Sequence, residues 1–165
     1  GYLSLIGGGM TFPATQVASS DVNTLDDYQE GTWTPVLTFA TPGNLSVVYS
    51  TQLGGYTRIG DRVIITFNLI TTTFTHTTAS GNLQITGLPF TSITLTGQRH
   101  FGAMVFQGVT VATYTQLTPS VGSGVTLIDV LMSGTGVAVA NVAAAEMPTG
   151  GTVHLRGTLV YQVAT

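Results

Sequence analysis

Carboxylates are scarce in this 165-residue chain, and their spacing decides which kinds of chemistry are open to it. Of the seven Asp and Glu residues, Asp26, Asp27 and Glu30 form the one close group. A glycosidase needs two carboxyl groups that face each other across ~5–9 Å. Adjacent acids in an irregular segment are instead typical of a solvated turn or a cap. We therefore expect no catalytic residues and a chain that is not an enzyme.

Metal binding and nucleophilic catalysis receive little support. Four oxygen-bearing side chains offer a calcium site as an alternative: Asp21, Asn23, Asp26 and Asp27. Their spacing fits no EF-hand loop. His76, His100 and His154 lie far apart without metal-ligand spacing, so we interpret them as hydrogen-bonded surface residues. The chain has no Cys and no G-x-S-x-G nucleophile elbow. We expect no metal and no cofactor.

Charge is the next constraint, because 7% of the residues are charged and all four basic residues are Arg. Ordinary domains carry ~25% charged residues. A few dispersed cations make no basic surface for phosphates, which argues against a nucleic-acid partner. The most apolar run, residues 137–145, is shorter than the ~18 residues of a membrane-spanning helix, so we expect no membrane insertion. A surface so poor in charge favours burial in an oligomer or a large assembly.

Residue types favour strands throughout the chain. Thr and Val are abundant, Lys is absent, and glycine-containing turns recur between short apolar stretches. The Gly60-Asp61 pair predicts a tight hairpin. The predicted strands are residues 32–40, 45–51, 55–59, 62–71, 82–86, 101–111, 125–132 and 152–164. Short strands at this spacing are typical of an all-β protein, and we expect an antiparallel β-sandwich of the jelly-roll type.

Local patterns add detail to this expectation. In residues 152–164 the odd-numbered positions are apolar and predict the inward face. Residues 62–71 are apolar on both faces, so we expect both faces to be covered. Residues 137–147 fit a short helix or an extended strand, and we favour the strand. Trp33, the only Trp, is interpreted as a core or interface anchor, with a sugar-stacking platform as the alternative.

The N-terminal segment differs from the rest. Residues 1–30 show neither the helical nor the strand spacing of apolar residues. We therefore predict an irregular arm there and a sandwich over residues 31–165. An arm of this composition frays unless something holds it, and we expect a neighbouring chain to do so. Because the chain begins with Gly, we expect it to be part of a longer protein.

Several pieces of the sequence occur in an order that points to a known group of proteins. Residues 12–16 (FPATQ) and 23–35 (NTLDDYQEGTWTP) are followed by 55–63 (GYTRIGDRV) and 85–90 (ITGLPF). Together they cover roughly residues 12–92, about half of the chain. In this order they resemble the C-terminal modules of bacteriophage tail fibre and tail spike (receptor-binding) proteins.

The resemblance implies a homotrimer at the phage tail tip, outside the cell, joined by its arm to an upstream fibre or β-helix. It also implies recognition of host surface glycans, or locking of the trimer, or both; with no acid pair in residues 31–165, we expect a non-catalytic module that binds bacterial surface polysaccharide. Sugar sites on β scaffolds use aromatic and polar side chains in loops, which we predict at residues 72–80, 97–100 and 113–119. The candidate carbohydrate-binding residues are Phe74, His76, Arg99, His100, Tyr114 and Gln116.

Two other functions stay open. A structural module would only lock the trimer and keep the upstream fibre in register. A polysaccharide depolymerase would need its active site elsewhere in the protein, because the acids after residue 30 are only Asp61, Asp129 and Glu146. The Ser-Lys self-cleavage of some phage tail modules needs a Lys, which this chain lacks.

Overall fold

The computed structural model describes residues 27–164 without a break, and residues 9, 12, 15, 19–21, 24 and 25 before them. The described residues form ten strands, one 3-10 helix and no α-helix, which confirms the all-β prediction. The strands are β1 (Tyr28–Trp33), β2 (Val36–Thr41), β3 (Ser46–Ile59), β4 (Arg62–Thr75), β5 (Ser80–Thr86), β6 (His100–Gln107), β7 (Gln116–Val121), β8 (Leu127–Ser133), β9 (Ala140–Asn141) and β10 (His154–Gln162).

Nine of these strands form one curled antiparallel sheet. Its order is β1-β3-β4-β10-β6-β7-β8-β5-β2, and β9 pairs with β8 beside this path. Strand β6 joins the two halves, because residues 102–107 pair with β10 while His100 and Phe101 pair with β7. The two separate sheets of a jelly-roll sandwich are therefore not confirmed. The described strands instead curl as a single sheet around one core.

The inner side of the curled sheet holds the hydrophobic core. Strands β4 and β10 turn inward the odd-numbered side chains that alternation predicts, and these are buried: Val63, Ile65, Phe67, Leu69, Leu155, Leu159 and Tyr161. Trp33 is buried too, and its indole N–H donates to the carbonyls of Gly55 and Thr66, both at 3.2 Å. The interpretation of Trp33 as a core anchor is thus confirmed. The outward face of β4 is not covered within the single chain, where Ile64 is 40% exposed.

Turns and prolines set the strand ends. Gly60, at a φ of 57°, and Asp61 make the predicted hairpin, in which Ile59 pairs with Arg62. The predicted strand over residues 32–40 is interrupted before Val36, because Pro35 has no N–H to donate to a ladder. Strand β3 runs without interruption through two segments that we predicted as separate strands.

The two end strands of the sheet, β1 and β2, are linked through side chains of β3. The hydroxyl of Tyr49 accepts a hydrogen bond from the amide of Leu37 at 2.7 Å. The side-chain amide of Gln52 donates to the carbonyl of Pro35 at 2.9 Å. Burial raises the pKa of the Tyr49 phenol, and the bond from Leu37 opposes that rise. The side chains of Tyr49 and Gln52 thereby provide hydrogen-bond partners for the Leu37 amide and the Pro35 carbonyl on the free edge of β2.

The C-terminal third departs from the sequence predictions in two places. Residues 137–147, for which we favoured a strand, contain the short β9 and then the 3-10 helix Ala144–Glu146. Strand β7 begins at Gln116, inside residues 113–119, which we predicted as a loop. Pro119 lies before Ser120 and Val121, the two residues of β7 that pair with β6, so at Pro119 the strand has a partner on one side. Such an edge position tolerates proline.

Most of the predicted arm lies outside the described residues. Asn23 and Asp26 of the calcium alternative are among the residues that are not described. Strand β1 begins at Tyr28 rather than at Gly31, so regular structure starts inside the segment assigned to the arm. Over the described ranges, no helix combines the length and hydropathy that crossing a membrane requires.

Candidate functional site

Phe74 is a core residue. Strand β4 continues to Thr75, and Phe74 is fully buried with its ring 6.0 Å from that of Phe39. The interpretation of Phe74 as an exposed aromatic in a polar loop is therefore wrong. A side chain that is fully enclosed presents no face on which a sugar can stack.

His76 follows β4 and is 7% exposed, with its ring 5.0 Å from that of Phe39. Its Nε2 atom has no hydrogen-bond partner among the described residues. The adjoining backbone is fixed by Asn44, whose side-chain oxygen accepts from the amides of Thr77 and Thr78 at 2.9 Å each. His76 also lines an open depression of about 290 Å³, together with Thr77, Ala79, Ala144, Ala145, Met147 and Thr149. Most of the residues that line this depression are apolar.

Arg99 belongs to a polar group on the outer side of the sheet, which we call the Arg99 cluster: Arg99, Ser120, Asp129 and Gln84. The Arg99 guanidinium donates to the Ser120 hydroxyl at 3.4 Å and lies 3.9 Å from the Asp129 carboxylate. Gln84 donates to the other Asp129 oxygen at 3.3 Å. The Arg99 side chain is 49% exposed and that of Asp129 is 19% exposed. Arg99, Asp129 and Gln84 thus present donors and acceptors side by side near the surface, while Ser120 is fully buried beneath them.

Strand pairing explains this arrangement. Ser120 on β7 is opposite Asp129 on β8, and Asp129 is opposite Gln84 on β5. Sequence reasoning identified Arg99 and missed the other three. They are separated widely along the chain, so only the register of three strands reveals that they meet.

The remaining predicted site residues lie elsewhere. His100, although next to Arg99, is 7% exposed, and its Nε2 accepts a bond from the amide of Gln162 at 3.4 Å. Burial lowers the pKa of His100, and the charge of Arg62 lowers it further. Tyr114 is half-buried against the core, and Gln116 is exposed at the opposite end of β7 from Ser120. The six predicted residues therefore do not form one site.

The acids have structural partners. Asp27 is 2% exposed and forms an ion pair with Arg58, so its interpretation as a solvated acid is wrong. Asp61 accepts a hydrogen bond from Gln162 at 2.6 Å, and Glu146 accepts one from the amide of Ala143 at 2.8 Å. Within the described part of the chain, no three His, Cys, Asp or Glu residues are grouped as metal ligands.

Comparisons with known proteins concern the fold. No protein-family model matches the chain, and no curated protein matches it. Among solved structures, the chain is similar to the Dettilon tailspike protein (gp208), with a TM-score of 0.59 and 20% sequence identity. The similarity covers 80% of this chain and 23% of the tailspike chain, so the chain spans less than a quarter of that protein's length. The curled antiparallel sheet is thus a fold that a phage tailspike protein also contains.

Proposed function

We propose that the chain is a non-catalytic C-terminal module of a phage tail spike or tail fibre that binds bacterial surface polysaccharide as a homotrimer. The fold similarity to a tailspike protein carries this proposal. The ordered sequence pieces between residues 12 and 92 support it independently. The low charge content fits a protein that works within an assembly at the tail tip, outside the cell.

The Arg99 cluster is the surface that we assign to the glycan. Sugar hydroxyls both donate and accept hydrogen bonds, and this cluster offers the Arg99 guanidinium, the Asp129 carboxylate and the Gln84 amide together. Three of its members lie on paired strands, which fixes their spacing before a ligand arrives. The surface is shallow, so we expect a dissociation constant near ~1 mM for one site, or about −4 kcal/mol. Three sites on one tip would add avidity without new contacts.

Binding to an array of bacterial capsule and O-antigen polysaccharides tests this assignment. The unaltered protein should bind at least one polysaccharide, and Arg99→Ala and Asp129→Asn should each weaken that binding tenfold or more. Arg62→Ala is the matched control, because Arg62 is a similarly exposed arginine at the β3–β4 turn. Binding that survives both cluster variants would remove the cluster from the site. An unaltered protein that binds no polysaccharide would contradict glycan recognition.

A structural role is the second candidate, and exposed apolar side chains on the outer face of the sheet favour it. Such a module would only lock three chains together and keep the upstream part in register. Deleting it from the full-length protein separates the two functions. Loss of trimers supports the structural role, whereas intact trimers that no longer adsorb to cells support glycan binding.

A depolymerase with its active site elsewhere in the full-length protein is the third possibility. In that case the present chain contributes no catalytic group. A reducing-end assay on host polysaccharide checks this point. Turnover by this chain alone would overturn the non-catalytic assignment.

A further inference from the structure

The outward face of β4, β10 and β6 carries an apolar row that a single chain leaves in solvent. Ile64 on β4 is directly opposite Val160 on β10. Phe101 on β6 precedes Gly102, which pairs with Leu159, so Phe101 continues the same row. The three side chains are 40%, 44% and 56% exposed, in the order Ile64, Val160 and Phe101. Three large apolar groups in one cross-strand row are more than the scattered exposure of ordinary surfaces.

The charged side chains on this face are few, namely Glu30 on β1, Arg62 on β4 and Arg156 on β10. Val105 on β6 is 67% exposed and Leu53 on β3 is 64% exposed. Between the apolar groups, Thr66 is opposite Thr158, and Thr158 is opposite Ala103. Soluble surfaces usually carry about 25–35% charged residues. We call this outward surface of β1, β3, β4, β10 and β6 the apolar face.

A hollow lies on the apolar face beside the row. It has a volume of about 470 Å³ and is lined by residues of β1, β3 and β4: Glu30, Gly31, Thr32, Gly55, Tyr56, Thr57, Ile64 and Thr66. Gly55, which is opposite the outward-facing Thr66, contributes no side chain to the hollow and so keeps it open. The exposed ring of Phe101 lies at the other side of the same face, on β6. The face therefore has a projection at one side and a recess at the other.

We propose that the apolar face binds a second copy of this chain, with Phe101 of one copy seated in the hollow of the next. Contacts between two different patches generate a closed ring when the rotation between copies closes, as a homotrimer requires. The inference deepens the proposed function by naming the interface of its assembly.

Charge fits this occupant. Glu30 lines the hollow and accepts a hydrogen bond from the Tyr28 hydroxyl, while Arg156 on β10 has no ion-pair partner among the described residues. Opposite charges on the two patches favour head-to-tail docking.

Sedimentation equilibrium at micromolar concentration tests the proposal. The unaltered chain should have the mass of several chains, and Phe101→Asp or Val160→Asp should weaken association by about 30-fold or more. Val139→Asp is the matched control, because Val139 is 65% exposed and lies outside the apolar face. An unaltered chain with the mass of one chain overturns the proposal together with the homotrimer. An oligomer that withstands both Asp variants overturns the interface and leaves the homotrimer standing.

Cross-linking keeps the proposal testable if an Asp variant fails to fold. Because the chain has no Cys, an introduced cysteine is the only thiol that a cross-linker can react with. Phe101→Cys on one preparation and Thr57→Cys on another should be joined by a short bismaleimide after subunit exchange. A mixture of Val139→Cys and Thr57→Cys is the control and should remain unlinked. Equal linking in the two mixtures, or none in the first, would contradict the docking of Phe101 in the hollow.

Discussion

The carboxylate of Asp27 and the guanidinium of Arg58 lie 2.9 Å apart in an ion pair whose side chains are 2% and 9% exposed. Arg58 Nε also donates to the carbonyl of Gly60, and the amide of Gly60 donates to the carbonyl of Asp27. The guanidinium stands 5.1 Å from the centre of the Phe90 ring. These contacts fasten the segment before β1 to the β3–β4 turn. The two charges offset each other's loss of hydration.

Removing one member of this pair should be far more damaging than removing both. Arg58→Met leaves the Asp27 carboxylate buried without its partner, and we expect the free energy of unfolding to fall by about 3–5 kcal/mol. The double variant Asp27→Leu/Arg58→Met should recover part of this loss, because no isolated charge remains. Denaturant unfolding at one fixed protein concentration measures both. A double variant no more stable than Arg58→Met would contradict the explanation.

Gly54 should resist even the smallest side chain. A Cβ atom at Gly54 would lie 2.6 Å from the indole nitrogen of Trp33, the atom that donates to Gly55 and Thr66. Gly54→Ala must therefore displace the indole, at a cost of about 1–3 kcal/mol. Unfolding curves and the emission of the single Trp report the change. Gly150→Ala is the control, since a Cβ there meets nothing within 4 Å, and equal effects of the two would refute the close packing.

The inward face of β4 shows which buried residues the sequence pattern predicts and where that pattern fails. Odd-numbered positions up to residue 71 are buried as alternation predicts. The pairing of β3 with β4 then shifts register around Tyr49, and Phe74 becomes the next buried position. Continuing the alternation would bury residue 73 and expose Phe74. A bulge depends on the partner strand, so a local pattern cannot reveal it.

The Arg99 cluster likewise could not be predicted from local sequence patterns. Arg99 was predicted as a site residue because its charged side chain lies in the predicted loop over residues 97–100. Its neighbours Ser120, Asp129 and Gln84 belong to three strands whose order in the sheet is not sequential. Local periodicity predicts which residues face outward, but not which strands are adjacent. The continuous sheet in place of a sandwich follows from β6 pairing on both sides, which is equally non-local.

An apolar residue at position 76 should stabilise the protein. His76 is 7% exposed, its ring contacts those of Phe39 and Phe74, and its Nε2 has no partner among the described residues. A buried polar atom without a hydrogen bond costs about 1–3 kcal/mol, so His76→Leu should raise the free energy of unfolding by about 1 kcal/mol. His154→Leu, at a more exposed position on β10, is the control. Destabilisation by His76→Leu alone would mean that Nε2 is satisfied in solution.

The stability of the protein should depend on pH through His100. Burial lowers the pKa of His100 below its ordinary value of 6.5, and the nearby charge of Arg62 adds to the effect. Protonation at Nε2 would also break the bond that this atom accepts from the amide of Gln162. Near and below pH 6.5 the unfolded chain therefore binds more protons at this residue than the folded chain does. The contribution of neutral His100 to the free energy of unfolding is therefore fully present above pH 6.5. It is lost as the pH falls through the lowered pKa of the folded state.

His100→Gln removes this titration while keeping a polar side chain of similar reach. Between about pH 7 and pH 5, the free energy of unfolding of the unaltered protein should fall more steeply than that of His100→Gln. Carboxylates take up protons mainly at lower pH and act on both proteins alike, so the difference between the two curves isolates His100. Urea unfolding at a series of pH values gives the two slopes. Parallel curves across that interval would show that His100 titrates equally in the folded and unfolded chains, against the burial seen at the start of β6.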